Sequence, residues 1–352
     1  MTSSNNEAPT QAAPEPASIS VIIPTFNDVG RIGDALESIV NQTAPPGEVV
    51  VCDDGSDDDT ERFVQEFAAR RAGEVEIRYI PLLSRSGAAA ARNAGVAAAS
   101  GEWIANCDSD DIWAPNKLER QIEFIRDWRG SRRIALLGTH GYNVNDAKKI
   151  ISPAVMGPTT EADYNALVRA GGIFYVIHSS ALFTRSDFLA VGGYGTEYGA
   201  ADDYPFFCEM AALGVVINMP ERLVHYRKRA GSVQFDRFWD LRQDVQRLTV
   251  NQRRRAQGQA PIGREEFAAQ LARAPAWERF KRRKRLLGYY SYKLGSTHTV
   301  NGRRLRGGLE LVLACALDGA RVRAGVVNAI RARRPRGLAV RGRRAHRDSR
   351  PA

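Results

Sequence analysis

Residues Ser18-Ile19-Ser20-Val21-Ile22-Ile23-Pro24 form a β-branched run closed by a proline, the pattern of a buried parallel strand. Next, Ile32, Leu36, Ile39 and Val40 recur on one helical face, and Asn27 or Asp28 stands where a cap is needed. Pro45-Pro46-Gly47 breaks that helix, and residues 48–52 predict a second strand that ends at Asp53-Asp54-Gly55-Ser56. Asp57 to Asp59 place negative charge at the start of a helix carrying Phe63 and Phe67, which Gly73 closes. A third strand follows over 75–82, then an alanine-rich helix over 87–99 that contains Arg92 and Asn93. An apolar run then stops abruptly at Asp108-Ser109-Asp110-Asp111. Strand and helix alternate four times, which predicts a parallel sheet with helices on its faces.

The pattern then becomes less regular. A helix over 115–128 precedes a strand-like 134–137, and 174–183 reads as another strand. A short helix over 186–189 ends at Gly192-Gly193, and Ala201-Asp202-Asp203-Tyr204-Pro205 opens a further helix. Residues 215–219 return as a strand before Pro220 and Leu223-Val224-His225-Tyr226-Arg227. Beyond Ser232 the chain reads as helices over 236–255, 264–273, a basic stretch at 281–290, and 308–318. The expected division is a disordered lead-in over 1–17, an α/β domain over 18–233, a helical region over 234–320 and an arginine-rich tail over 321–352. The end of that tail is expected to be poorly ordered.

Charge changes this picture more than composition does. From Trp277 onward the chain carries 21 Lys and Arg against 4 Asp and Glu, whereas the part before it carries 29 against 36. A mildly acidic body thus bears a strongly basic C-terminal region. The 352 residues can bury a substantial core. Cys52, Cys107, Cys208 and Cys315 are far apart and show no metal-ligand spacing, so all four are expected to be buried free thiols in a reducing compartment. No apolar run reaches the roughly 18 residues of a membrane span. The N-terminal stretch lacks the apolar core of a signal peptide, and a cytoplasmic protein is expected.

The acidic cluster raises the first chemical question. Three carboxylates within four residues repel one another unless a cation sits among them. A hard divalent ion already holding a phosphate would meet that need at the C-terminal edge of a strand. An acidic turn that caps the next helix is the competing reading. Asp53-Asp54 could accept hydrogen bonds from a base or ribose, or form a plain Asp-Gly turn. Asp202-Asp203 could supply a general base or merely complement a helix dipole. The segment from His225 through Arg227 to Arg229 could meet phosphate or metal, or be solvated. No GxGxxG follows the first strand and no GxxxxGK[ST] occurs.

In order and spacing these elements resemble family 2 glycosyltransferases of the GT-A fold, over residues 18–233. The likeness is carried by the Ser20 to Asn27 strand and turn, by Leu36-Glu37-Ser38-Ile39-Val40-Asn41-Gln42-Thr43, and by the stretch ending at Asp53-Asp54-Gly55-Ser56. Ala91-Arg92-Asn93-Ala94-Gly95, the acidic cluster through Trp113, Val191-Gly192-Gly193-Tyr194, Asp202-Asp203 and the basic segment up to Ser232 complete it. The resemblance implies a Rossmann-like, mostly parallel α/β sheet. It also implies an inverting transferase that moves a sugar from a nucleotide-sugar donor, UDP-linked by preference, to a hydroxyl of a glycan or lipid-linked acceptor.

By the same resemblance Pro24, Thr25, Phe26 and Asn27 line the nucleotide pocket, with Asp53 and Asp54 at the base. Arg92, Asp108 and Ser109 lie near the donor. Asp110, with Asp108, holds Mn²⁺ or Mg²⁺, Asp111 shares in either role, and Asp203 is the general base beside Asp202. His225, Arg227 and Arg229 are secondary candidates. Two departures stand out: Asp202-Asp203 replaces the usual Glu-Asp, and Arg229 replaces a frequent histidine. No QxxRW motif appears, which argues against a processive synthase. Acceptor recognition is expected around 171–180 and in the helical region. The basic region suits an anionic membrane surface at the inner face of the cell membrane, and no recognition motif supports nucleic acid. A catalytically silent scaffold of the same fold is the alternative.

Overall fold

Three of the first four strands are built from the most apolar runs in the chain and are buried along their length, while the third, at the sheet edge, is half-buried. The computed structural model describes residues 11–195, 198, 201–229 and 233–333. In chain order the first half comprises β1 (Ile19–Thr25), α1 (Val29–Val40), β2 (Glu48–Asp53), α2 (Thr60–Arg70), β3 (Glu76–Pro81), α3 (Ala88–Ala98), β4 (Trp103–Asn106), β5 (Ile112–Trp113) and α4 (Lys117–Arg126). There follow β6 (Ile134–Val144), β7 (Ile150–Ala154), α5 (Glu161–Arg169), β8 (Leu182–Thr184), α6 (Arg185–Ala190), α7 (Asp203–Leu213) and β9 (Val215–Arg227). The C-terminal helices are α8 (Val233–Asp236), α9 (Phe238–Ala256), α10 (Arg264–Arg273), α11 (Ala276–Val300) and α12 (Arg304–Arg333), the last kinked at Asp318.

The strands form one nine-stranded sheet in the order β3-β2-β1-β4-β8-β6-β9-β5, with β7 paired to β6. β3, β2, β1 and β4 are mutually parallel, as the early alternation requires. β4 and β8, β8 and β6, and β9 and β5 run antiparallel, while β6 and β9 are parallel. The sheet is therefore mixed beyond β4. α1 buries Ile32, Ala35, Leu36, Ile39 and Val40, the face read from periodicity. α3 lies close on β1 and β2 because its residues are small: a Cβ on Gly95 would come within 2.6 Å of both Cys52 and Ile22.

Five expectations need correction. Within the expected lead-in, residues 1–10 lie outside the described residues, and 11–17 are not loose: the Gln11 amide exchanges hydrogen bonds with the backbone of Ile134, and Pro14 is buried. Of the expected 174–183 strand only 182–183 is β, as part of β8; the polar triplet His178-Ser179-Ser180 forms a 3₁₀ turn, and its His178 and Ser179 side chains meet the acidic cluster instead. Strand β9 continues through Pro220, because a bulge between Met219 and Arg222 spares the ladder the missing N–H. Helix α12 runs to Arg333, past the start of the expected tail, and residues 334–352 lie outside the described residues. Cys52, Cys107 and Cys208 are buried free thiols, but Cys315 is exposed on the outer side of α12.

Candidate active site

The C-terminal ends of β1, β2 and β4 converge where the parallel strands of an open α/β sheet present ligands. β4 delivers the acidic cluster, and two arginines and a turn of α7 close around it. Asp108 receives Nη2 of Arg92 at 3.0 Å, and the other end of that guanidinium reaches Asp202 at 2.8 Å. One arginine from α3 thus ties the end of β4 to the start of α7. Burial would raise the Asp108 carboxyl, but Arg92 and His178 outweigh it and hold it well below the usual range. His178 Nδ1 lies 3.5 Å from Asp108, and its Nε2 meets the Tyr194 hydroxyl at 2.9 Å and the Asn106 amide at 3.2 Å.

Asp110 pairs with Arg229 at 2.7 Å. Burial pushes its carboxyl up against that pairing, and the nearby Asp108 and Asp28 add repulsion. Asp111 is completely buried and raised further by burial, Asp110 and Asp108. Its oxygens accept from the Ser179 hydroxyl and from the Arg227 N–H, the latter at 2.8 Å. Asp111 is therefore committed to the fold, holding β5, β9 and the 178–180 turn together. Arg227 is likewise internal: it donates to the carbonyls of Asp110 and Asp146 and to the Asp34 carboxylate at 2.7, 3.0 and 3.0 Å. His225 packs edge-on against Tyr142, with burial lowering its pKa, and stands opposite Ile112 in the β5–β9 ladder.

Asp203 opens α7 immediately after Asp202. Burial and the repulsion of Asp202 push its carboxyl up to about 8, with Arg92 and the Tyr204 N–H only partly offsetting them. It accepts a hydrogen bond from the Tyr204 N–H at 2.9 Å and forms no ion pair among the described residues. A half-buried carboxylate with that basicity can take a proton from a bound hydroxyl near neutral pH.

The residues expected around a nucleotide are tied into the chain. Asp53 accepts from the Ser56 N–H and hydroxyl, both at 2.8 Å, and from the Tyr79 phenol. Asp54 receives the Ser86 N–H at 2.6 Å and the Gly87 N–H at 2.9 Å, anchoring the loop before α3. Gly87 takes φ +92° there, a conformation a side chain would strain. The Phe26 ring carries the Arg85 guanidinium 4.0 Å from its centre. Pro24 and Thr25 end β1, and the buried Thr25 hydroxyl lacks a partner. Asn27, at φ +49°, binds Asp57 through its amide, and the Ser109 hydroxyl donates to Asp28 at 2.6 Å.

Among the described residues no three potential ligands already form a metal cage. The oxygen-only set at Asp108 and Asp110, with repulsion from Asp28 left over, nevertheless fits a hard divalent cation. Such an ion takes one or two carboxylates and completes its shell with phosphate and water.

The family model described as Glycosyl transferase family 2 matches residues 20–192. WfgD of Escherichia coli, a UDP-Glc:alpha-D-GlcNAc-diphosphoundecaprenol beta-1,3-glucosyltransferase, is 41% identical over 107 residues, 30% of this chain and 40% of WfgD. WfaP of Escherichia coli, a glucosyltransferase of the same name and linkage, is 27% identical over 63% of this chain and 82% of its own length. Residues 20–192 belong to glycosyl transferase family 2. The GT-A fold is shared with S. aureus TarS 1-349 in complex with UDP-GlcNAc, at TM-score 0.53 and 16% identity over 87% of this chain and 92% of TarS 1-349. The chain spans less than half the length of WfgD, against most of the length of WfaP.

Sequence reasoning missed the polar shell behind these family residues. His178, Ser179, Tyr194 and Asn106 all bond the acidic cluster or its immediate support. The only sequence signal was a His-Ser-Ser triplet inside an apolar run, which is out of place in a buried strand.

Proposed function

We propose that the chain is an inverting glycosyltransferase acting on a UDP-sugar and a hydroxyl of a glycan or lipid-linked acceptor. The observation that carries this reading is Asp203, poised near neutral pH and in no ion pair among the described residues, beside the Arg92 bridge to the acidic cluster. In the proposed reaction Asp203 takes the proton of the acceptor hydroxyl as its oxygen bonds to the anomeric carbon. The bond from that carbon to the diphosphate breaks on the opposite face, so one displacement inverts the centre. Arg92 holds Asp108 ionised and, through its contact with Asp202, fixes the entry of α7, which sets where Asp203 stands. Asp110 and Asp108 would hold Mg²⁺ or Mn²⁺, whose chemistry is Lewis-acid stabilisation of the departing diphosphate. Arg85 on Phe26 and the Asp53 and Asp54 turns shape the base end of the donor pocket, so those two carboxylates act through the loops they hold.

The UDP-Glc donor and beta linkage of WfgD and WfaP support the donor class. No described helix is long and apolar enough to cross a membrane. Leu305, Leu309, Val312 and Leu313 stand exposed on one side of α12 among arginines, which supports attachment to an anionic membrane surface at its cytoplasmic side. In this reading residues 18–233 form the catalytic domain and the helices from 234 onward the acceptor-facing region. The test is Asp203→Asn: transfer falls at least about a thousandfold while UDP affinity is kept. Full transfer by that variant overturns the assignment.

A further inference from the structure

The C-terminal helices enclose a cationic cleft that the donor chemistry leaves unused. Between α9 and α11 a cavity of about 600 Å³ is lined by Arg242, Trp277, Lys281, Arg282, Arg285 and Tyr289. Its lining includes a single acid, Glu278. Arg242 lies 5.0 Å from the centre of the Tyr289 ring, and Lys281 lies 4.2 Å from that of Trp277. Among the described residues the Nε atoms of Arg242 and Arg282 are shut off from solvent and find no acceptor. Burial lowers the Arg282 pKa with no carboxylate acting against it. A buried guanidinium Nε–H left without an acceptor is unfavourable unless an anion completes it.

The cleft lies close to the proposed base. Arg242 acts electrostatically on the phenols of Tyr175 and Tyr204, and Asp203 acts on the same two groups. Those two rings meet edge to face at 5.2 Å. A ligand seated on Arg242 therefore has its remainder within reach of the residue that follows Asp203.

We propose that this cleft holds a phosphate or diphosphate group of the acceptor, with Arg242 and Arg282 as its charge-assisted donors and Trp277 and Tyr289 as its walls. Forked guanidinium groups match phosphate oxygens in pairs, which a single ammonium does not. The identity of the ligand as acceptor rests on the glycosyltransferase reading; the anion site itself does not.

The test is calorimetric titration of the full chain with inorganic pyrophosphate in EDTA, which removes the metal that a diphosphate at Asp110 would need. Wild type binds at one site. Arg242→Gln/Arg282→Gln weakens that binding by about tenfold or more. Glu278→Gln tightens it about threefold, a change of opposite sign that misfolding cannot mimic. Absence of binding, or equal binding by wild type and the double variant, overturns the proposal. Flotation on phosphatidylglycerol vesicles separates the other phosphate source: equal flotation of wild type and double variant supports the acceptor site. Loss of flotation with pyrophosphate affinity intact assigns these cations to lipid headgroups and overturns it. If wild type turns over no nucleotide-sugar yet binds pyrophosphate in the expected order, the anion site stands and the glycosyltransferase reading falls.

Discussion

Replacing Arg92 by methionine removes the one cation that neutralises both Asp108 and Asp202. The guanidinium side chain is only 10% exposed, with Asp202 at 9% and Asp108 at 26% on the other side of the two contacts. Breaking a buried pair by deleting one partner costs about 3–5 kcal/mol, because the remaining charge is left desolvated. Asp108 is a quarter open and can rehydrate, so the lower end, about 3 kcal/mol, is expected at pH 7. The sign of the pH dependence is fixed by Asp108, whose carboxyl Arg92 holds below its usual range. A depressed carboxyl stabilises the fold above its unfolded pKa and loses that contribution as pH falls through the folded value. The gap between wild type and Arg92→Met is therefore widest at neutral pH and narrows as pH falls below about 4. Urea unfolding at pH 7 and at about pH 2, on either side of that window, measures it. Adding Asp202→Asn to Arg92→Met should recover at least about 1 kcal/mol, since the double variant buries one fewer unpaired charge. A cost under about 1 kcal/mol for Arg92→Met, with unchanged m-value, would refute the bridge as a structural and electrostatic element.

Three further outcomes are expected. Glu48 accepts from Ser20, Ser100 and Arg78, which overcome its burial and bring its carboxyl to about 2. Its stabilisation is present above pH 4.5 and lost toward pH 2; Glu48→Gln should cost about 2–3 kcal/mol at pH 7, read by chemical denaturation, and little at pH 2. If Asp203 is the base and its carboxyl stands at about 8, transfer rises with pH toward 8, falling about tenfold per unit below it, and a flat profile from pH 6 to 8 speaks against it. Leu305→Ser/Leu309→Ser should reduce flotation on anionic vesicles at least about tenfold by removing two buried side chains from the lipid contact, and unchanged flotation would remove α12 from any membrane attachment.

Much of this arrangement was legible in the chain, and the parts that were not share a cause. β1 to β4 and their helices follow from local signals: β-branched runs, Pro45-Pro46-Gly47, and acids where strands stop. Asp108, Asp110 and Asp203 stand out because carboxylates end an apolar run or open a helix. The Arg92 link to Asp202 joins residues far apart in sequence, and nothing in either local segment announces it. Apart from Tyr175, residues 174–181 are buried, and burial without a period does not separate a strand from a turn. Pro220 read as a stop because a proline removes a ladder donor, and the bulge that accommodates it leaves no local mark. Cys315 looked buried inside an apolar run, but that run faces outward on α12. The cleft between α9 and α11 depends on helix packing, so its arginines appeared in the sequence only as excess charge.

The central claim is metal-assisted transfer from a UDP-sugar at the Asp108 to Asp203 site. The most direct measurement is nucleotide release by the full chain across UDP-, GDP- and dTDP-sugars, with Mn²⁺ and with EDTA, while UDP binding is followed by calorimetry. The account predicts UDP release that needs Mn²⁺, together with UDP binding. Absence of UDP binding with or without Mn²⁺ would contradict it and leave a silent scaffold of the same fold.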